Sequence, residues 1–389
     1  MIKAGAGDGG DAHEVLFLSA HDTRGGTVNY IKSLRGRFEQ KGYRCASMAL
    51  YSGFDPDPSG VEEVLTPSKA LPPHRYLAVL ARFVLAMRRR RPAAIISVMP
   101  MAAVAAGLAG WFSGSAVIVT HHSPSDRNGG LVRLLDKLVG TLGAYREIIC
   151  VSSAVADSFS GHPAAYRRRI SVVPNGVVPA KVRSARAEIL RKFALPDDLP
   201  FVYMAGRLAP QKNVLMAVRA VAKVEGIRLV MSGDGPQRDE VVALANQLGL
   251  SERLHLLGQT ERQDMIDLMA AADAFMQVSL FEGQSIALLE ALHVGALPVV
   301  SNIPVQLEVI TMADGREAAV TCDPQDADDI ARAMRTLLFD ADRRAEIMAN
   351  VAILAPQIRT EDQMLSDYER VLVSTVGPPH SVQRAKHVS

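Results

Sequence analysis

Short apolar runs alternate along the chain with stretches in which apolar residues recur every three or four positions. The runs at 14–19, 94–98, 116–120, 147–151 and 170–173 have strand length, and a second series follows at 201–205, 227–231, 254–257, 274–278 and 297–300. Between them lie helical patterns. Residues 28–41 place Tyr30, Ile31, Leu34 and Phe38 on one face, and 75–91 do the same with Leu77, Leu80, Ala81, Val84 and Leu85. Further helices are expected at 261–272, 325–338, 341–354 and 361–373. Strands that take turns with helices predict α/β units with parallel sheets. The turn signal Pro174-Asn175-Gly176 separates the two series.

One stretch tests this pattern. Residues 92–120 contain no charged side chain and are long enough to cross a bilayer. Pro100, Gly107, Gly110 and Gly114 divide the stretch into a strand at 94–98, a helix at 101–112 and a strand at 116–120. A buried βαβ unit is therefore expected, not a membrane span.

Composition narrows the class. At 389 residues, with 48% hydrophobic content, the chain calls for two globular domains. A net charge of +2 argues against nucleic acid as the partner. Cys45, Cys150 and Cys322 are too few and too scattered for a disulfide framework or a metal site, which fits a reducing compartment. The first thirteen residues lack a basic head followed by an apolar core, so no secretory signal is expected. Asp55-Pro56-Asp57 has a metal-binding D-x-D pattern but sits in a Pro-rich turn, and no metal is assigned to it.

The richest stretch is 278–298, with Glu282 and Gly283 in a loop, then Gln284, Ser285 and Ile286 opening a helix that Gly295 stops. Seven residues separate Glu282 from Glu290, which puts the first carboxylate ahead of the helix and the second about two turns inside it. Free amides of 283–286 suit a phosphate between them. Upstream, Arg207 and Lys212 share one strand-to-helix turn, where two cations suit a diphosphate. Gly25 and Gly26 lie in another such turn, and Thr120-His121-His122 ends a strand.

E-G-x-S-x-x-L-L-E-A-L-x-x-G-x-x-P resembles the E-x7-E signature of the retaining GT-B glycosyltransferases of the large fourth family, the group 1 glycosyl transferases. G-R-L-x-x-x-K around Arg207 and Lys212 resembles that family's diphosphate clamp. The resemblance runs from about 14 to 373. It implies two facing Rossmann-like domains with a cleft between them: 1–178 for the acceptor, 179–356 for the donor, and a helix at about 357–376 crossing back; the polar composition of 377–389 predicts a disordered tail. By the same resemblance Glu290 holds the donor ribose, Glu282 the sugar hydroxyls, and Arg207 with Lys212 the diphosphate. Gly25, Gly26 and His122 approach from the first domain, while Gly283, Gln284, Ser285 and Ile286 complete the donor site. Glu308 resembles the next acidic position of the family.

The implied reaction is metal-independent, retaining transfer from a nucleoside-diphosphate sugar (GDP-mannose or a UDP-sugar) to a glycan or lipid-linked acceptor. No cofactor is required. The family's frequent roles point to bacterial envelope or exopolysaccharide synthesis at the inner face of the cell membrane. Arg88, Arg89, Arg90 and Arg91 either complement a helix dipole or touch anionic lipid. Gln284 and Ser285 stand where many members carry Phe and Gly, which blurs the choice of sugar. Other readings are a sugar-nucleotide epimerase, for which no acid and base can be assigned, a solute-binding protein, which would need an export signal, and a silent partner subunit, which would have lost Glu282, Arg207 or Lys212.

Overall fold

The computed structural model describes residues 14–22, 26–52, 61–67 and 73–379. Contacts divide the chain into two compact units, one of residues 1–151, 155–173 and 364–389, the other of 152–154 and 174–363. The first boundary falls ahead of the expected 178 because Val177 pairs with the chain's later passage. Its N–H donates to Arg359 O (2.9 Å), and its carbonyl accepts from Glu361 N (2.8 Å).

The first unit holds β1 (Glu14–His21), β2 (Arg44–Tyr51), β3 (Glu63–Val64), β4 (Ala94–Val98), β5 (Ala116–His121), β6 (Glu147–Cys150) and β7 (Ile170–Val172). They form one sheet in the order β3-β2-β1-β4-β5-β6-β7, parallel throughout. All five residues of β4 are buried, as both faces of a covered parallel sheet require. Between strands run α1 (Gly26–Gln40), α2 (Pro73–Arg90), α3 (Pro100–Ser113) and α4 (Gly130–Thr141). Right-handed crossovers send α1 to one face, because β1 to β2 runs leftward in the strand order, and send α2, α3 and α4 to the other. The last helix, Glu361–Val376, packs Met364, Tyr368 and Leu372 into the same core as Ile31, Leu34 and Phe38 of α1.

The uncharged stretch folds as expected, and no helix among the described residues is long and apolar enough to cross a membrane. Its glycines have a packing reason: a Cβ at Gly107 would lie 2.5 Å from Val139 Cγ1, and one at Gly110 the same distance from Val117 Cγ2. In α2 the expectation fails. Its core face is Val79, Phe83 and Met87, while Leu77 and Leu85, placed inside by sequence, are 71% and 53% exposed. Both sides of this helix are apolar, and periodicity alone chose the wrong one.

The second unit contains β8 (Phe201–Ala205), β9 (Arg228–Ser232), β10 (Leu254–Gly258), β11 (Ala274–Gln277), β12 (Pro298–Ser301) and β13 (Val320–Cys322). Their order is β10-β9-β8-β11-β12-β13, again parallel. From β8 the chain steps outward through β9 and β10, then returns to β11 and steps the other way. The order therefore reverses between β8 and β11, and a crevice opens there at the strands' carboxyl ends.

Candidate donor site

Both strands flanking that reversal carry the sequence-predicted residues. Arg207 and Lys212 follow β8, and Glu282 to Ser285 follow β11. The two loops are pinned together: Leu280 N donates to Gln211 O (2.9 Å), Gln211 Nε2 to Phe281 O (3.1 Å) and Asn213 Nδ2 to Val278 O (3.0 Å). Asn213 can do this from the left-handed region, at φ 58°, which asparagine tolerates. Beneath the loop after β8, Gly233 approaches so closely that a Cβ there would sit 2.0 Å from Gly206 O.

Glu282 is buried and Lys212 Nζ lies 2.7 Å from its Oε1. Gln277 Nε2 donates to the same oxygen (3.2 Å), while Gln277 Oε1 accepts from Ser285 Oγ (3.0 Å). Gln306 Nε2 in turn holds the carbonyl of Gln277 (3.0 Å). One glutamine thus fixes both the carboxylate and the helix cap. On Glu282, Oε2 is only loosely approached, by Gln211 Nε2 at 3.5 Å, and keeps acceptor capacity. Arg207 is exposed and has no ion-pair partner among the described residues.

Ser285 caps the helix Ile286–His293, accepting from Leu288 N at 3.4 Å. Gly295, at φ 80°, ends it: Ala296 N bonds Ala291 O and Gly295 N bonds Leu292 O, the paired bonds of a Schellman turn. Because the helix begins at Ile286, Glu290 lies little more than one turn inside it, not two. Glu290 is buried and held by Arg262, with Nε and Nη2 at 2.8 and 2.7 Å from Oε1. Burial raises its pKa above the usual carboxylate value despite that guanidinium. The two glutamates of the motif therefore have separate partners.

Gln284 departs from its expected use. Its Oε1 accepts from Asn175 N (2.6 Å) and its carbonyl from Asn175 Nδ2 (3.1 Å), so the side chain serves the Pro174-Asn175-Gly176 turn. Gly283 presents its carbonyl to Ser152 Oγ (2.9 Å). Glu308 accepts from the N–H groups of Ser153 and Ala154, both at 2.8 Å. Sequence reasoning missed Gln277, Gln306 and Arg262. Gln277 left a trace, a polar residue closing an apolar strand; Arg262 sits in a polar helix start and left none.

In the first unit His122 Nε2 lies 3.2 Å from Thr120 Oγ1, and its ring meets Tyr30 edge-on at 4.6 Å. The Thr120 hydroxyl donates to Ser97 O (3.0 Å), so it accepts from His122, which places the proton on Nε2 and leaves Nδ1 as an acceptor. Burial, with help from His121, pushes the His122 pKa down to about 4, and the ring is neutral at physiological pH. His121 turns inward, with Nε2 3.1 Å from Tyr166 Oη. There Asp136 accepts from Tyr166 Oη (2.7 Å) and Tyr145 Oη (2.9 Å). Gly26 opens α1; Gly25, Asp55 to Asp57 and most of the tail lie outside the described residues. Of the arginine run, Arg90 binds Glu14 through Nε (3.0 Å) and Nη2 (2.8 Å), so it is a structural partner and not a free cation.

Comparison with known proteins agrees with this geometry. Residues 24–181 match the domain described as Glycosyltransferase Family 4, and 185–352 the domain described as Glycosyl transferases group 1. A D-inositol 3-phosphate glycosyltransferase of Mycolicibacterium smegmatis is 33% identical over 53% of this chain and 48% of its own length. A lipopolysaccharide core biosynthesis glycosyltransferase of Rhizobium meliloti is 30% identical over 51% and 56%. The chain thus spans about half the length of these curated relatives. Anabaena HepE, solved with UDP and glucose, superposes with a TM-score of 0.77 at 19% identity, covering 93% of this chain and all of that one. WaaG, a glycosyltransferase involved in lipopolysaccharide biosynthesis, gives 0.72 at 17%, with 93% and 100% covered. Two parallel-sheet units, the E-x7-E loop and helix, and both domain matches together make this chain a GT-B protein of glycosyltransferase family 4.

Proposed function

We propose that the chain transfers a sugar from a nucleoside-diphosphate sugar to a glycan or lipid-linked acceptor, with retention at the anomeric carbon and without a metal ion. The observation that carries this reading is the Lys212–Glu282 pair at the β8/β11 reversal, with Arg207 exposed on the same loop. Departure of the nucleotide develops negative charge on the diphosphate, and that charge needs fixed positive partners. An ammonium has three donors. Lys212 spends one on Glu282 and keeps two for phosphate oxygens; Arg207 and the capped start of the helix Ile286–His293 add further positive character. Glu282, steadied by Gln277, receives sugar hydroxyls on Oε2. Glu290 takes the ribose.

The solved HepE complexes with UDP and UDP-glucose favour a uridine donor. Of the two curated relatives named above, the one named for lipopolysaccharide core biosynthesis supports an acceptor of the envelope type, while the one named for D-inositol 3-phosphate points to a small polyol phosphate. The reading is tested with a radiolabelled donor panel and membrane-extracted acceptors. Glu282→Ala should lower kcat far more than it raises the donor KM, because a group that orients the reacting sugar acts near the breaking bond. NMR of the product should show the donor's anomeric configuration. An inverted product, or free epimerised nucleotide sugar in place of a glycoside, would overturn it.

A further inference from the structure

A cleft of about 460 Å³ opens on the first unit, lined by Arg146, Glu147, Arg168, Arg169, Ser374 and Thr375. Arg146 and Glu147 sit where the chain enters β6, Arg168 and Arg169 where it enters β7, and both hydroxyls lie near the end of the helix Glu361–Val376. The cleft is therefore at the amino ends of these strands, the opposite end of the sheet from His121 and His122. Reacting ligands of open α/β sheets bind at the carboxyl ends, so a ligand held here is not a reactant of the transfer. The volume is in the range of small-molecule sites.

The three arginines are anchored through their backbones. Arg146 N donates to Val117 O (2.8 Å), Arg168 N to Ala164 O (3.0 Å), and Arg169 O accepts from Ile148 N (2.8 Å). Arg169 gives Nη1 to Ala165 O. The side chains of Arg146 and Arg168 have no hydrogen-bond or ion-pair partner among the described residues, although Glu147 lines the same cleft. Among those residues none of the three guanidiniums donates to a carbonyl of the helix end, as cations that cap it would. Three guanidiniums beside one carboxylate leave the cleft short of negative charge, and a phosphate supplies it.

The remaining groups choose among phosphates. Ser374 Oγ and Thr375 Oγ1 both donate to Val371 O, at 2.8 and 2.7 Å, so toward a ligand they accept. Glu147 only accepts, and the end of the helix is its negative pole. These groups disfavour a bare anion and suit hydroxyl donors. A ligand with a phosphate on one side and hydroxyls on the other satisfies both sets.

We propose that this cleft binds a phosphorylated sugar or polyol, the phosphate on Arg146, Arg168 and Arg169 and the hydroxyls on Glu147, Ser374 and Thr375. The proposal is independent of the donor chemistry.

Isothermal titration of the full chain with glucose 6-phosphate, inorganic phosphate and glucose separates the two halves of the site. Glucose 6-phosphate should bind, inorganic phosphate at least ~10-fold more weakly, and glucose without detectable heat. Arg146→Ser/Arg168→Ser, with circular dichroism and melting temperature unchanged, should lose at least ~10-fold for glucose 6-phosphate. Glu147→Gln should narrow the gap between the two phosphates, because it removes a repulsive charge for one and a strong acceptor for the other. Arg207→Ala should leave the affinity for glucose 6-phosphate as it is. No binding of glucose 6-phosphate would overturn the proposal, as would equal affinity for inorganic phosphate. So would full binding by the double arginine variant, or a loss caused by Arg207→Ala.

Discussion

Glu290, proposed to take the donor ribose, is buried at the expense of stability. Burial raises its pKa above the usual value even with Arg262 against it, so the folded chain binds this proton more tightly than the unfolded chain does. The stabilising contribution is complete below the unfolded carboxylate range and is lost as pH rises through the elevated folded value. Glu290→Gln removes that dependence. Its stability relative to wild type should therefore climb between pH 4 and pH 8 in paired thermal melts, while the donor KM rises with kcat nearly kept. A relative stability that falls with pH would mean that Arg262, 44% exposed at its side chain, outweighs burial after all.

The element scale explains what was legible in advance. Ser285 and Gly295 bracket the helix Ile286–His293 in the sequence and cap it in the structure, because caps answer unsatisfied backbone groups within a few residues. Glu282 and Lys212 could be named as neighbours only through the family motif; their contact depends on β8 and β11 lying side by side, which no local signal encodes. Gln277, Gln306 and Arg262 are partners brought in by the sheet order, and α2 shows that an apolar stripe does not announce which side the core takes. Gly233 is a further case. At φ 122°, and with a Cβ position 2.0 Å from Gly206 O, Gly233→Ala should cost about 3 kcal/mol or more in chemical denaturation. Gly295→Ala, in the left-handed region but with open space around it, should cost only about 1–2 kcal/mol. Equal losses would place the strain in the backbone angle alone and leave the loop contact without weight.

Across the whole molecule, chemistry is divided between units that each have their own core. The second unit carries the cations and carboxylates assigned to the donor, and the first carries His122 and the arginine-lined cleft. Protein cations, chiefly Arg207 and Lys212, are proposed to hold the diphosphate. Isothermal titration of UDP and GDP in excess EDTA tests this without knowledge of the acceptor. One of the two should bind the wild-type chain, and Arg207→Ala should weaken that nucleotide about 10- to 100-fold, the value of a lost charged hydrogen bond. Binding that appears only when manganese is restored, or that is indifferent to Arg207→Ala and Lys212→Ala alike, would contradict the account.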